Sequence, residues 1–174
     1  LIVNPTTCDQ KKKASAMMVG MGHKVYNLEL PPAKESEQAR LYWQRSVREF
    51  VQQLRQLTGK KLTRKNLMAA MARTSRAQAA FRTLHNFRRK APSLVLGKDV
   101  FLVTNAYFFD DIERWTEAVE KLNAELAQRD QDGFCAAQKK APRILFTGSP
   151  PIFPNLKLPL LIEDDLGYTL ASRL

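Results

Sequence analysis

The fold is decided at the start of the chain, where residues 1–30 read LIVNPTTCDQKKKASAMMVGMGHKVYNLEL. The apolar run at residues 1–3 ends in polar, turn-forming residues, as a short strand does. Residues 10–21 then predict a helix, with three methionines as its apolar stripe and glycines at its end. Residues 25–30 read as a second strand, which two prolines stop because proline cannot donate to a strand ladder. This order of elements predicts a βαβ unit with a parallel sheet.

Two long helical segments follow this unit. The first ends at Gly59 and the second runs from Thr63 to a stop at Pro92. In the first segment, apolar residues recur at spacings of three and four, which places them on one helix face: Trp43, Val47, Phe50, Val51, Leu54 and Leu57. Together the two segments predict a helical hairpin from about residue 35 to residue 90.

The α/β pattern returns after the second helical segment. Residues 100–103 are apolar and fit either a buried strand or the end of a helix. The elements expected after them are an amphipathic helix from residue 110, a strand at residues 143–146, a helix from residue 158 and a strand from residue 168.

The predicted fold class is therefore α/β, with parts of two Rossmann-like parallel-sheet units joined by a long helical hairpin. We expect the end of a first α/β domain at residues 1–32, a helical connector at residues 33–93 and the start of a second α/β domain at residues 94–174. Strands at both ends of the sequence have no partner elements beyond them. We therefore expect an internal fragment of a longer protein that is inactive alone.

The composition is that of an ordinary globular protein, 44% hydrophobic and 26% charged. No apolar run approaches the roughly 20 residues that a membrane span needs, so we expect no membrane partner. The two cysteines, Cys8 and Cys135, make no disulfide framework. This favours a reducing, cytoplasmic compartment.

The formal net charge of +11 is unevenly placed, since residues 50–98 contain no Asp or Glu and many Lys and Arg. Such a block attracts nucleic acid, phosphate-bearing cofactors or an acidic partner. We interpret it as a solvated face of two helices. A basic module that binds nucleic acid is the competing function. It is the less favoured one, because no nucleic-acid motif appears and the basic residues are not interleaved with exposed aromatics.

Several segments together resemble the 2-hydroxyacyl-CoA dehydratase family, which also contains the benzoyl-CoA reductase-type subunits. The most specific ones are the Thr-Thr-Cys-Asp and Thr-Gly-Ser-Pro stretches. The full set is TTCDQKKK at residues 6–13, LTGKKLT at residues 57–63, TNAYFFDD at residues 104–111, RILFTGSP at residues 143–150 and PNLKLP at residues 154–159.

The resemblance implies a subunit that holds a [4Fe-4S] cluster through three cysteines, of which Cys8 matches the middle one. The other ligands are expected outside this chain, and Cys135 matches none of them. The implied reaction is a radical elimination of water from an acyl-CoA thioester. Its implied partners are a second dehydratase subunit and an ATP-dependent activator that supplies the electron. A cluster-less partner subunit and a benzoyl-CoA-type reductase are the alternatives.

Cys8 and Ser149 are the candidate cofactor-binding residues, and Cys8 is the candidate metal ligand. Cys8 follows a strand and precedes a helix, at the sheet edge where open α/β folds bind ligands. Read alone, it would be a buried structural cysteine. By resemblance, Ser149 faces the cluster and substrate cleft, although a strand-end turn explains the Gly and Pro around it equally well. No residue is assigned a catalytic role.

The remaining ionisable residues predict no site. His23 and His85 lack the spacing of metal ligands. Asp110, Asp111 and the acidic residues 163–165 are expected to be solvated groups at helix ends. Neither a Walker A motif nor Gly-x-Gly-x-x-Gly is present, so no ATP or NAD site is expected.

Overall fold

The computed structural model describes residues 1–138, 140–148 and 151–172. The chain divides into two compact units, Leu1–Leu67 and Met68–Leu174, called here the first and the second unit. Each has a two-stranded sheet whose strands run parallel, which confirms the α/β class. Among the described residues, no helix combines the length and the apolar character needed to cross a membrane.

The first unit is built on the predicted strand–helix–strand order. Its elements are β1 (Ile2–Pro5), α1 (Asp9–Gly20), β2 (Val25–Leu28) and α2 (Glu37–Thr58). Strands β1 and β2 pair in parallel, with Ile2 opposite Val25, and α1 is the connection between them. Strand β2 ends two residues earlier than predicted, because the Leu30 N–H donates to the Thr6 hydroxyl (3.3 Å) rather than to a ladder carbonyl.

Helix α1 leaves two of the three methionines of its predicted apolar stripe exposed, whereas Met18 is half-buried. Met17 and Met21 are 63% and 69% exposed. Within α1, all of which the structure describes, Ser15 is the one buried residue. Its Oγ donates to Asn27 Oδ1 at 2.7 Å. The contact of Ser15 with the sheet is therefore polar, and Met17 and Met21 lie outside it.

Helix α2 ends at the predicted Gly59 and begins with a cap that the sequence analysis did not single out. The Ser36 hydroxyl accepts the Ala39 N–H at 3.1 Å, which satisfies one of the free donors of the first turn. At the other end, Gly59 adopts the left-handed conformation (φ 68°) that glycine tolerates best. The Phe50 ring stacks on Tyr26 of β2, with ring centroids 5.4 Å apart. This aromatic contact is one of those that hold α2 against the sheet.

The second unit holds most of α3 and all of the later elements. These are α3 (Arg64–Phe87), α4 (Gly97–Ala106), α5 (Ile112–Gln131), β3 (Arg143–Phe146), α6 (Lys157–Leu160), a π-helix (Leu161–Asp165) and β4 (Thr169–Ser172). Strands β3 and β4 pair in parallel. Residues 100–103 lie within α4, so the helix is the correct one of the two alternatives. The pairing of α2 and α3 as a hairpin, the domain boundaries and the Rossmann-like character stay predictions.

The core of the second unit forms where α3, α4 and α5 meet. Small residues on α3 let α5 approach closely, so that Asn123 Nδ2 donates to the Ala80 carbonyl at 2.9 Å. A second apolar cluster packs α4 against β4 and the π-helix around Phe101 and Leu170. The main cluster contains Ala77, Ala80, Leu84, Leu94, Val95, Val100, Trp115, Val119 and Leu126.

Glu163 is buried, which corrects the prediction that residues 163–165 are all solvated. Only 7% of Glu163 is exposed. Its carboxylate accepts the backbone N–H groups of Gly97 (2.7 Å), Lys98 (2.7 Å) and Leu170 (2.8 Å). The first N–H groups of a helix have no partner within the helix, and Glu163 supplies one for α4. The side chain therefore ties α4, the π-helix and β4 together.

Arg88 is also buried, which corrects the prediction that the basic stretch is a solvated face. Its Nη2 donates to the Leu170 carbonyl at 2.6 Å. Burial lowers the pKa of the Arg88 guanidinium, whereas the nearby Glu163 carboxylate acts in the opposite direction. Arg143 reaches the same region by donating to the Arg88 carbonyl at 2.6 Å. Arg88 thus belongs to the packing of the second unit rather than to its surface.

Candidate functional site

An open cleft of about 870 Å³ lies at the carboxyl end of β1 and β2 in the first unit. We call it the Cys8 cleft. The carboxyl edge of a parallel sheet is where α/β proteins most often bind ligands, because loops and helix N-termini converge there. The lining residues with polar side chains include Thr6, Thr7, Cys8, Lys12, Glu29 and Tyr42.

Cys8 is exposed at this cleft, in the position that caps α1. Its backbone is extended (φ −155°, ψ 166°), and its carbonyl accepts the Lys12 N–H at 3.3 Å. The thiol makes no capping hydrogen bond to the helix. An accessible thiol at this edge can bind a ligand, whereas a buried structural cysteine could not.

Thr6 fixes the turn that leads to Cys8. Its N–H donates to the Leu28 carbonyl at 3.0 Å, and its hydroxyl accepts the Leu30 N–H at 3.3 Å. These two bonds continue the pairing of the chain segments beyond the ends of β1 and β2. The backbone that precedes Cys8 is therefore held on the sheet.

Glu29 and Tyr42 form a hydrogen-bonded pair on the wall of the Cys8 cleft. The Tyr42 hydroxyl donates to Glu29 Oε2. This bond, more than any other influence, raises the pKa of the Tyr42 phenol above its ordinary value. The pair also borders a second polar cleft of about 340 Å³, which Arg45 and Glu49 line. A carboxylate and a protonated phenol in contact can together accept and donate a proton.

The described residues supply one candidate cluster ligand and not a complete set. Among the described residues, no group of three or more His, Cys, Asp or Glu is placed to hold a metal ion. Cys135 lies in the second unit, is half-buried and has its Sγ 3.7 Å from the Gly133 carbonyl. Cys8 therefore offers one accessible thiolate, and further ligands would be needed for a [4Fe-4S] cluster.

Comparison with protein families identifies the family of this chain. Residues 1–173 match the model of the 2-hydroxyglutaryl-CoA dehydratase D-component. The chain belongs to this family. The predicted resemblance to 2-hydroxyacyl-CoA dehydratase subunits is thereby confirmed, and the dehydratase class of the family with it. A comparison with curated proteins found no match.

Of the two site residues expected from the sequence, the structure describes Cys8 but not Ser149. Cys8 lies in the cleft just described, and its role as a metal ligand stays a prediction. Ser149 lies outside the described residues. The described part of its turn, Thr147 and Gly148, follows β3 directly, and Gly148 has φ 119°. The role of Ser149 in the cleft thus stays a prediction too.

Glu29 and Tyr42 were not among the sequence-based candidates. Glu29 follows the last residue of β2, and that position at a sheet edge could have marked it. Tyr42 lies on α2, 13 residues further along the chain. Nothing in the local sequence shows that it reaches Glu29, because the contact depends on how α2 packs against β2.

The basic stretch of this chain is partly neutralised by acidic residues of α5 and the π-helix. Arg73 Nη1 lies 3.7 Å from Glu113 Oε1, and Arg76 Nη2 lies 2.5 Å from Glu120 Oε2. The other two ion pairs are Lys90–Asp130 and Lys98–Asp164. Partners that neutralise a basic surface weaken its attraction for phosphates.

We therefore expect the protein to bind nucleic acid only weakly and without sequence preference. Binding should be measurable at low salt and fall steeply as salt rises, because counterion release drives it. Fluorescence anisotropy with labelled RNA and DNA over a salt series measures it. Arg89→Glu should reduce the residual binding; Arg88 is left intact because it is buried, and Lys90 because it pairs with Asp130. Tight, sequence-selective binding at physiological salt would contradict the enzyme assignment.

Proposed function

We propose that the protein is the D-component of a dehydratase that eliminates water from a 2-hydroxyacyl-CoA thioester. In this proposal, Cys8 contributes one thiolate to a [4Fe-4S] cluster whose other ligands lie outside this sequence. The observation that carries it is the exposed Cys8 thiol in the cleft of a chain that belongs to this family. When bound, the cluster supplies single electrons, which an ATP-dependent activator provides.

The protons of the elimination are handled by Glu29 and Tyr42. Glu29 accepts the proton when the C–H bond at the β-carbon of the substrate breaks. Tyr42 donates its hydroxyl proton to the departing hydroxyl group, so that the C–O bond breaks and water leaves. Glu29 then returns a proton to the Tyr42 oxygen across their hydrogen bond. The support for these roles is that the two side chains touch and line the same cleft as Cys8.

The raised pKa of Tyr42 keeps its phenol protonated, as the hydrogen bond to Glu29 requires. A phenol whose pKa lies above about 10 is fully protonated at neutral pH. Since the pKa is raised in the folded state, the stability it contributes is present below about pH 10. That contribution is lost as the pH rises through the higher, folded-state value. Glu29→Gln should shift the tyrosinate absorption of Tyr42 back towards lower pH.

Substitution of the pair should stop turnover without disturbing iron. In the full-length subunit with its partners, we expect Glu29→Gln and Tyr42→Phe each to lower kcat by about 10²- to 10⁴-fold, the usual contribution of a general acid or base. The iron content should stay at the wild-type value. Tyr107→Phe, which removes a phenol in the second unit, is the matched control and should retain full turnover. Wild-type kcat in both cleft variants would refute these roles.

A further inference from the structure

A polar network lies beneath the start of α1. Asn4 of β1 and Asn27 of β2 are register partners in the parallel sheet, and Ser15 projects from α1 to meet them. Asn4 Nδ2 donates to the Lys11 carbonyl at 3.0 Å and to Asn27 Oδ1 at 3.2 Å. Ser15 Oγ donates to the same Asn27 oxygen at 2.7 Å. Asn4 and Ser15 are 8% and 3% exposed, so these two side chains are shielded from water.

The network is saturated at both of its central atoms. An amide nitrogen carries two hydrogens, and Asn4 Nδ2 uses both of them. An amide oxygen has two lone pairs, and Asn27 Oδ1 uses both of those. Reversing the Asn4 amide would place its oxygen against two acceptors, the Lys11 carbonyl and Asn27 Oδ1. The bonding pattern therefore fixes the orientation of both amides.

The same network connects α1 to both strands of the sheet. Ser15 is the one fully buried residue of α1, and its contact with the sheet is this hydrogen bond. Asn4 lies four residues before Cys8, and Lys11 lies three residues after it. The bond between Asn4 and Lys11 therefore closes the segment of residues 4–11 into a loop with Cys8 inside it.

We propose that Asn4, Asn27 and Ser15 are positioning residues for Cys8. They hold the first turns of α1 on β1 and β2, so that the thiol stays at the carboxyl edge of the sheet. The role of Cys8 as a cluster ligand rests on the proposed function, whereas the positioning of its turn does not. Asn4 is the central member, because it alone reaches the first turn of the helix.

Two isosteric substitutions test this directly. Asn4→Asp places a carboxylate oxygen where a donor is needed, facing the Lys11 carbonyl and Asn27 Oδ1. Asn27→Asp keeps an acceptor for both of its donors. Each substitution adds one negative charge and leaves the side-chain volume almost unchanged. Each variant is therefore the control for the other. The readouts are hydrogen exchange of the full chain and iron content of the subunit purified without oxygen.

We expect Asn4→Asp to speed exchange in α1 by about tenfold or more, while Asn27→Asp stays within about twofold of the wild type. Exchange in α2 should change in neither variant, which separates local release of the Cys8 turn from unfolding of the first unit. Iron should be lost from Asn4→Asp and retained in Asn27→Asp.

The two readouts separate failure of this inference from failure of the proposed function. Equal exchange in the two variants, or an Asn4→Asp variant that behaves like the wild type, would overturn the positioning role. If the wild type holds no iron but Asn4→Asp alone loosens α1, the ligand role of Cys8 fails and the positioning role stands.

Discussion

Gly97→Ala should destabilise the second unit by about 2 to 3 kcal/mol, the upper part of the usual cost of overpacking. The Gly97 N–H donates to Glu163 Oε1 at 2.7 Å. A Cβ added at this position would lie 2.8 Å from the Leu170 Cβ and 3.1 Å from Glu163 Oε1, and would also meet the Leu170 carbonyl. Neither neighbour can withdraw easily, because Leu170 lies in β4 and its N–H donates to the same carboxylate.

Gly20→Ala is the matched control for this substitution. Gly20 is also a helical glycine, but no atom outside its own helix backbone lies within 4 Å of an added Cβ. Alanine favours helices over glycine, so we expect a change within about 0.5 kcal/mol or a slight gain in stability. Denaturant unfolding is followed by Trp115 fluorescence for the second unit and by Trp43 fluorescence for the first, each with the other tryptophan replaced by Phe. Unchanged stability of Gly97→Ala would contradict the packing described around Glu163.

Local sequence signals predicted the elements of the fold well. The strand–turn–helix at the start of the chain depends on neighbours in sequence, and so do the caps of α2. Residues 100–103 were ambiguous because a short, fully apolar run fits a buried helix and a buried strand equally well. The methionines of α1 have the predicted helical spacing, but two of the three are exposed, because the contact that joins Ser15 to the sheet is polar.

The candidate site was predictable only where it is local. Cys8 stands out because it follows a strand and precedes a helix. Glu29 and Tyr42 meet through packing of α2 against β2, which the local sequence does not specify. Glu163 and Arg88 are charged residues, for which exposure is the ordinary expectation. Their burial depends on backbone groups 66 and 82 residues away, so no local pattern could have indicated it.

Cys8→Ser should abolish cluster binding, which is the largest functional effect that we expect. Iron in these clusters is held by cysteine thiolates, and a serine hydroxyl at the same place is a poor substitute. Cys135→Ser removes the only other thiol of this sequence, which is half-buried beside the Gly133 carbonyl. This variant is the matched control and should keep its cluster, since Cys135 lies outside the Cys8 cleft.

The most direct measurement is the iron and sulfide content per subunit of the full-length protein, purified without oxygen as wild type, Cys8→Ser and Cys135→Ser. We expect about four iron and four sulfide in the wild type and in Cys135→Ser, as a [4Fe-4S] cluster requires, and almost none in Cys8→Ser. A wild type without iron, or equal iron in all three proteins, would contradict the assignment of Cys8 as a cluster ligand.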